Sequence, residues 1–279
     1  MRLWNGWGNE DSDLTMELSD GLRALLEALV GPGTALSQAT LNEVIAKVPN
    51  SRLGDHPLIK TEPEIRVRHA RGQSLPDWLE MHSGNVDTFP DGVGFPESSE
   101  QVRELLAHAK ENNLIVIPYG GGTSVVGHIN PETSDKPVLT IDMAKMNSML
   151  SIDTESQLAT FGAGAPGPVV EEELKKHGYT LGHFPQSWEL STLGGWVASR
   201  SSGQQSLHYG RIENMFAGGT IETLNGTMKI PTIPASSAGP DVREMILGSE
   251  GRMGIITEVT VRITPLPEKE KFQVVFFPS

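Results

Sequence analysis

The first 85 residues carry hydrophobic side chains at helical spacing. Leucines at positions 22, 25, 26 and 29 share one side of a helix, which Ser19-Asp20 can cap and Gly31-Pro32 would end. A second helix is predicted from Ser37 to the residue before Pro49, with apolar positions 41, 44, 45 and 48 on one side. We therefore expect residues 1–85 to form a helical N-terminal extension packed against the rest of the chain.

From Val86 onward the pattern changes to helices mixed with strands. Ser98 and Gln101 predict a capping box for a helix that runs to about Asn112. Asn225-Gly226 predicts a hairpin in which both turn residues have positive φ. The other predicted elements are strands over 114–117, 138–142, 157–161 and 255–263 and a helix over 169–177. This mixture predicts an α+β fold rather than a regular doubly wound sheet.

The last eight residues, 272–279, form a largely apolar run. The run is typical of a strand that has just begun. We therefore expect a truncated polypeptide whose natural chain continues into a further domain.

Charge and composition exclude several classes of function. The chain has 35 acidic and 22 basic residues, a net charge of −13, and no cysteine. Nucleic acids and anionic membrane surfaces are therefore disfavoured as general partners, whereas disulfides, thiolate nucleophiles and cysteine metal sites are excluded. The sequence contains no signal peptide and no run long enough to span a bilayer, so we expect a soluble, cytoplasmic protein.

The strongest chemical signal is a run of three glycines directly after the apolar strand at 114–117. Consecutive glycines let the backbone approach a ligand closely, and successive N–H groups can then bind a diphosphate without a lysine. A flexible turn after a strand would give the same pattern. The candidate residues of this first segment are Pro118, Tyr119, Gly120, Gly121, Gly122, Thr123 and Ser124.

Two later segments are also rich in small residues. One has a helical pattern from Thr192 onward, and its glycines and hydroxyls could contact a flat ligand or serve tight helix packing. The other is a glycine-rich turn that leads into the last strand, which is a weak signal alone. The candidates of this second segment are Gln186, Ser187, Trp188, Glu189, Leu190, Ser191, Thr192, Gly194, Gly195, Ser199, Arg200, Ser201 and Ser202, and those of the third are Glu250, Gly251, Gly254, Ile255 and Ile256.

A G-x-G-x-x-G motif spans residues 162–167, between a predicted strand and a predicted helix. An NAD-binding unit would also need a following strand that ends in an acidic residue, and the stretch after Gly178 has none. The NAD interpretation is therefore disfavoured. The eight histidines show no metal-ligand spacing, so no metal site is expected. His183 directly precedes the second segment, which makes it the best candidate for acid–base chemistry.

Taken together, these segments resemble the FAD-binding domain of the vanillyl-alcohol oxidase and para-cresol methylhydroxylase superfamily. Within it, the chain is most similar to the alkyldihydroxyacetonephosphate synthases. The resemblance covers nearly the whole chain and is carried by five motifs, namely Trp4 to Gly8, Ile117 to Ser124, Gly182-His183, Ser191 to Trp196 and Gly248 to Gly251.

The resemblance implies two α+β subdomains that bind FAD. The first segment would then hold the diphosphate, the second and third would line the flavin, and His183 would be an active-site histidine. Gln186 departs from the acidic residue of animal members, and the glycine loop lacks a histidine for covalent attachment, so FAD is expected to be non-covalent. The implied organisation is an extension at 1–85, a FAD-binding domain at 86–267 with subdomains 86–155 and 156–267, and the start of an absent cap domain at 268–279.

By resemblance, the reaction exchanges the acyl group of an acyl-dihydroxyacetone phosphate for a long-chain alcohol, without net redox change. The resemblance also allows a homodimer and peripheral membrane contact through the cap domain, without which we expect weak flavin binding and little turnover. One alternative is an FAD-linked oxidoreductase of a 2-hydroxy acid such as D-lactate or glycolate. Another is a ligand-binding remnant without activity.

Overall fold

The computed structural model describes residues 2–11, 18–34, 37–234, 237–271 and 273–277. The helices are α1 (Asp20–Val30), α2 (Leu41–Ile45), α3 (Pro63–Arg68), α4 (Leu75–Ser83), α5 (Ser99–Glu111), α6 (Gly167–Lys175), α7 (Leu193–Ser199), α8 (Ser206–Tyr209), α9 (Ile212–Met215) and α10 (Val242–Ile246). The strands are β1 (Ile59–Lys60), β2 (Gly92–Gly94), β3 (Ile115–Tyr119), β4 (Val138–Asp142), β5 (Met149–Asp153), β6 (Leu158–Gly162), β7 (Tyr179–Thr180), β8 (Phe216–Thr223), β9 (Gly226–Ile230), β10 (Ile255–Arg262) and β11 (Thr264–Pro265).

The chain divides into two compact units. The first contains residues 1–95 and 105–142, and the second contains 96–104 and 143–279. The subdomain boundaries expected from the sequence stay a prediction, whereas the α+β class is confirmed by the mixture of helices and sheets.

The first unit is built on a four-stranded sheet in the order β1-β2-β4-β3. β4 pairs with both β2 and β3 in parallel, and only β1 is antiparallel to its neighbour. Every residue of the central strand β4 is buried, whereas the first four residues of β3 are half-buried because β3 lies at the sheet edge. The glycine run therefore leaves the carboxyl end of an edge strand.

Within the first unit, side chains from residues 1–85 pack against the residues that follow them. Val44, Val67 and Met81 form one buried cluster with Val86 and Phe89, so side chains from both sides of residue 85 share a core. The helix predicted at 19–31 is present as α1 with Ser19 as its N-cap, but none of its residues is buried.

The second unit contains an antiparallel sheet in the order β5-β6-β10-β8-β9. Six of the eight residues of the central strand β10 are buried, and Glu258 and Arg262 are more exposed. A large apolar cluster joins this sheet to α6 and α7 through residues such as Phe161. The sheet therefore fixes the turns that enter both helices.

Two predictions about helix starts differ from the structure. The second helix begins after Thr40 rather than Ser37, because Thr40 and Glu43 form the capping box. The Ser98 hydroxyl caps α5 as predicted, but the Gln101 side chain accepts its hydrogen bond from the N–H of Glu97, at 2.7 Å, instead of from Ser98.

The hairpin is present, but its turn lies one residue earlier than predicted. Thr223 pairs with Gly226, so the loop residues are Leu224 and Asn225. Gly226 has φ 124°, whereas Asn225 is not among the described non-glycine residues with positive φ.

The strand expected over residues 272–279 is wrong for 273–277, which form no strand and expose their apolar side chains. Phe272, Pro278 and Ser279 lie outside the described residues. None of the helices formed by the described residues combines the length and apolar character that a membrane span needs.

Candidate functional site

The triple-glycine loop has a fixed conformation that depends on the absence of side chains. Pro118 and Tyr119 end β3 opposite Ile141 and Asp142 of β4, and the loop starts at the next residue. Gly122 has φ 65°, and a Cβ there would overlap the hydroxyl of Tyr119. Only glycine avoids both the strain of positive φ and this overlap.

The loop contains backbone N–H groups that have no partner among the described residues. Gly122 and Thr123 make no hydrogen bond with the described residues, and Gly122 is buried. The carbonyl of Gly121 accepts a hydrogen bond from Nη1 of Arg2 at 2.5 Å. At the end of the loop, the carbonyl of Ser124 accepts from the N–H of Gln73 at 2.6 Å.

A buried polar group lies beneath the loop. The ring of His69 is 4.7 Å from that of Tyr119, and its Nε2 is 2.9 Å from Oδ2 of Asp142. The other ring nitrogen, Nδ1, is 2.7 Å from the carbonyl oxygen of Ile65. Both ring nitrogens of His69 therefore face acceptor oxygens. Burial raises the pKa of Tyr119 to about 12, so its hydroxyl stays protonated.

The second segment is a turn followed by α7. The carbonyl of Ser187 accepts from the N–H and the hydroxyl of Ser191, and Thr192 is the N-cap of α7 through its bond from the N–H of Gly195. A Cβ on Gly194 would lie 2.7 Å from the Cβ of Ala163. Tight packing of α7 therefore requires glycine at 194, whereas Gly195 is less crowded.

The G-x-G-x-x-G residues are explained by the same packing. Cβ atoms at Gly162 and Gly164 would overlap the backbone of residues 143–147, and one at Gly167 would overlap the indole of Trp188. β6 pairs only with antiparallel neighbours, so no parallel strand–helix–strand unit is formed around the motif. The NAD interpretation is therefore excluded by topology.

His183 is buried in a mostly apolar setting. It is 1% exposed, its Nε2 lies 2.7 Å from the hydroxyl of Ser201, and its Nδ1 has no partner among the described residues. Its ring meets that of Trp196 edge-on at 5.0 Å. Burial lowers the pKa of His183 to about 4, so the imidazole is neutral near pH 7.

The turn before His183 is held by a buried carboxylate. Glu171 accepts hydrogen bonds from the hydroxyl of Thr180 at 2.7 Å and from the N–H groups of Leu181 and Gly182 at 3.1 Å each. Gly182 has φ 74°, and a Cβ there would overlap the ring of Tyr209. Glu171 and Gly182 thus set the position from which His183 enters the site.

The structure brings the second and third segments together at the end of α7. The N–H of Gly248 donates to Val197, and that of Glu250 donates to the carbonyl of Ala198 at 2.9 Å. Arg200 and Glu250 have φ 53° and 51°, left-handed values that are uncommon outside glycine. Two residues with strained backbones therefore lie where the second and third segments come together. Backbone strain of this kind is often found at functional sites.

The remaining predicted residues fall into an exposed and a buried set. Gln186, Glu189, Ser199 and Ser202 are exposed. Gly251 and Gly254 turn the chain into β10, and the following residues, Ile255 and Ile256, are buried in the sheet.

The sequence interpretation assigned too many hydroxyls of the second segment to a ligand. The hydroxyls of Ser191, Thr192 and Ser199 bond to backbone groups of their own segment, so they serve the local fold, whereas the hydroxyl of Ser201 contacts His183. Tight packing accounts for more of this segment than the sequence pattern indicated.

Sequence reasoning missed Arg2, His69, Asp142 and Glu171. Arg2, His69 and Asp142 are distant in the chain from their partners, and none of the four stands in a recognisable motif. For Glu171, a single acidic residue on the apolar side of a predicted helix was the only available signal.

The glycine loop fits a bound diphosphate on two structural grounds. It offers two unpartnered N–H groups, at Gly122 and Thr123, and its conformation leaves no room for a Cβ at 122. Backbone donors of this kind bind anions without a cationic side chain.

Residues 90–230 match the family described as "FAD binding domain". This chain belongs to the FAD binding domain family. FAD is therefore the cofactor of this chain.

Matches to individual relatives extend beyond that domain. The chain is 38% identical to an alkyldihydroxyacetonephosphate synthase of Trypanosoma brucei brucei over 223 residues, which cover 79% of this chain and 36% of that protein. A solved structure of an alkyldihydroxyacetonephosphate synthase superposes with a TM-score of 0.82 at 32% identity, covering 96% of this chain and 55% of that one. The mitochondrial D-lactate dehydrogenase [cytochrome] 1 of Saccharomyces cerevisiae is 32% identical, covering 72% of this chain and 34% of the enzyme. The chain therefore spans between a third and just over half of the length of these relatives.

Proposed function

We propose that this chain is the flavin-binding part of an alkyldihydroxyacetonephosphate synthase. The observation that carries the proposal is the extent of the likeness: 96% of the chain, including the N-terminal residues outside the FAD binding domain, superposes on a synthase. In sequence, the match to the Trypanosoma synthase covers 79% of the chain, and the match to the D-lactate dehydrogenase covers 72%.

The proposed reaction is an exchange at one carbon. The bond between C1 of the dihydroxyacetone unit and the ester oxygen breaks, and the fatty acid leaves with that oxygen. The oxygen of a long-chain alcohol forms the new bond to C1, and its proton is released, so no electrons are gained or lost. When bound, the flavin supplies the electron-rich centre for this exchange.

Within this proposal, the chain binds and orients the cofactor. The N–H groups of Gly122 and Thr123 donate to the diphosphate, and the region where Ala198 meets Glu250 lines the flavin side. Non-covalent binding is supported by the absence of histidine from residues 118–124.

We assign the acid–base role to His183. Its imidazole is neutral near pH 7, and its unpartnered Nδ1 gives it a ring nitrogen that no side chain of the described residues occupies. A neutral imidazole of this kind can accept or donate one proton at a time.

The test is a deletion of the coding sequence in its host, followed by quantification of alkyl ether lipids. The proposal expects alkyl ether lipids to be lost and to return when the gene is restored. Unchanged ether lipids, together with lost growth on D-lactate or glycolate, would instead support the oxidoreductase alternative.

A spectroscopic comparison separates the same two functions in vitro. Under anaerobic conditions, D-lactate or glycolate should leave the oxidised flavin spectrum of the FAD-loaded chain unchanged, because the exchange requires no net oxidation of a hydroxy acid. Rapid bleaching by either compound would contradict the transferase proposal.

A further inference from the structure

An N-terminal residue, Arg2, contacts the backbone of the glycine loop. Nη1 of Arg2 donates to the carbonyl oxygen of Gly121 at 2.5 Å, across 119 residues of sequence. The Arg2 charge also opposes the rise that burial causes in the pKa of Tyr119, which places the guanidinium near the base of the loop. This contact involves a residue outside 90–230, the range that matches the FAD binding domain family.

A tight turn fixes the backbone of Arg2. The N–H of Leu3 donates to the carbonyl of Gly8 at 3.0 Å, and Arg2 forms an antiparallel bridge with Asn9. Gly8 has φ 103°, a value that favours glycine, so the turn depends on this residue.

A second arginine anchors this turn to α3. Nη1 of Arg68 donates to the carbonyl oxygen of Arg2 at 2.8 Å. The guanidinium of Arg68 also pairs with Glu64 at 2.9 Å and with Glu10 at 3.2 Å. Arg2 therefore reaches the glycine loop from a backbone that is held in place on both sides.

The contact determines where the next N–H group points. In a trans peptide, the carbonyl and the following N–H lie in one plane and point in opposite directions. Because Arg2 holds the carbonyl of Gly121, the N–H of Gly122 points away from Arg2, and it has no partner among the described residues. We propose that Arg2 is a positioning residue for the FAD diphosphate, acting through the peptide between Gly121 and Gly122.

This inference rests on FAD binding. It predicts that a change at Arg2 lowers the affinity only for ligands that carry a phosphate. In the full 279-residue chain, Arg2→Ala should weaken the affinity for FAD and for ADP about tenfold, the effect of losing one charge-assisted hydrogen bond. The affinity for riboflavin, which has no phosphate, should stay unchanged. Arg2→Lys keeps the charge and a donor, so it should recover much of the loss.

The matched control is Arg23→Ala, which removes one positive charge from an exposed position on α1. Affinities are measured by quenching of flavin fluorescence and, for ADP, by calorimetry, and melting temperatures are recorded without ligand. Equal losses for FAD and riboflavin would overturn the proposal, because Arg2 would then act on the whole fold. Unchanged FAD affinity in Arg2→Ala would also overturn it, while FAD binding by the wild-type chain would still stand. A wild-type chain that binds no FAD would overturn FAD binding and this inference together.

Discussion

The burial of His183 makes the stability of the protein depend on pH in a defined direction. Its pKa falls from 6.5 to about 4 on folding because burial penalises the charged imidazole. Below pH 6.5 the unfolded chain takes up a proton that the folded chain does not accept until about pH 4. The stability linked to His183 is therefore complete above pH 6.5 and is lost progressively as the pH falls through this window.

The magnitude follows from the two pKa values. Between pH 7 and pH 5, the difference in proton binding lowers the free energy of unfolding by about 2 kcal/mol. Solvent screens His183 little, because the side chain is only 1% exposed.

The assay is urea unfolding at pH 7 and pH 5 for the wild type, His183→Gln and His177→Gln. His177 lies exposed beyond the end of α6 and controls for the loss of one histidine. The wild type and His177→Gln should lose about 2 kcal/mol more than His183→Gln between the two pH values. If all three proteins lose the same free energy of unfolding, the neutral, buried state assigned to His183 is wrong.

Three further substitutions test other parts of the site. Gly122→Ala should lower the free energy of unfolding by about 2–4 kcal/mol, through positive φ and overlap, and should weaken FAD binding, whereas Gly54→Ala, with open space around it, should change stability by less than about 0.5 kcal/mol. In urea unfolding, Gly194→Ala should lower the free energy of unfolding by about 1–3 kcal/mol, and Gly195→Ala should lower it by less. Equal losses would contradict the packing described for α7. Glu171→Ala should lower the free energy of unfolding by about 3 kcal/mol because it leaves two buried donors, the Thr180 hydroxyl and the Leu181 N–H, without their acceptor. A loss below about 1 kcal/mol would contradict the role of Glu171 in holding the turn before His183.

The elements with strong local signals were predictable from the sequence. β4 has the predicted bounds, and the N-caps predicted at Ser19 and Ser98 are present, because a capping residue next to a periodic apolar run is a local signal. The start of the second helix was missed because two residues, Ser37 and Thr40, could each serve as its cap, and only Thr40 has a glutamate three residues later.

The contacts that support the site were not predictable in the same way. Arg2 meets Gly121, and His69 meets Asp142, across 119 and 73 residues of sequence, and no periodicity encodes such pairings. For the hydroxyls of the second segment, the sequence suggested a role in ligand binding that the structure does not support. Residue type suggested ligand donors, whereas Ser191 and Ser199 bond to the backbone of their own segment, which competes with ligands for serine hydroxyls.

The central claim is that backbone N–H groups of the glycine loop bind the diphosphate of FAD, and amide NMR of the ¹⁵N-labelled chain tests it most directly. The account predicts that the amide signals of Gly122 and Thr123 move downfield when FAD or ADP is added and stay in place when riboflavin is added. If the chain is saturated with FAD and both signals remain unshifted, the diphosphate lies elsewhere and the account is contradicted.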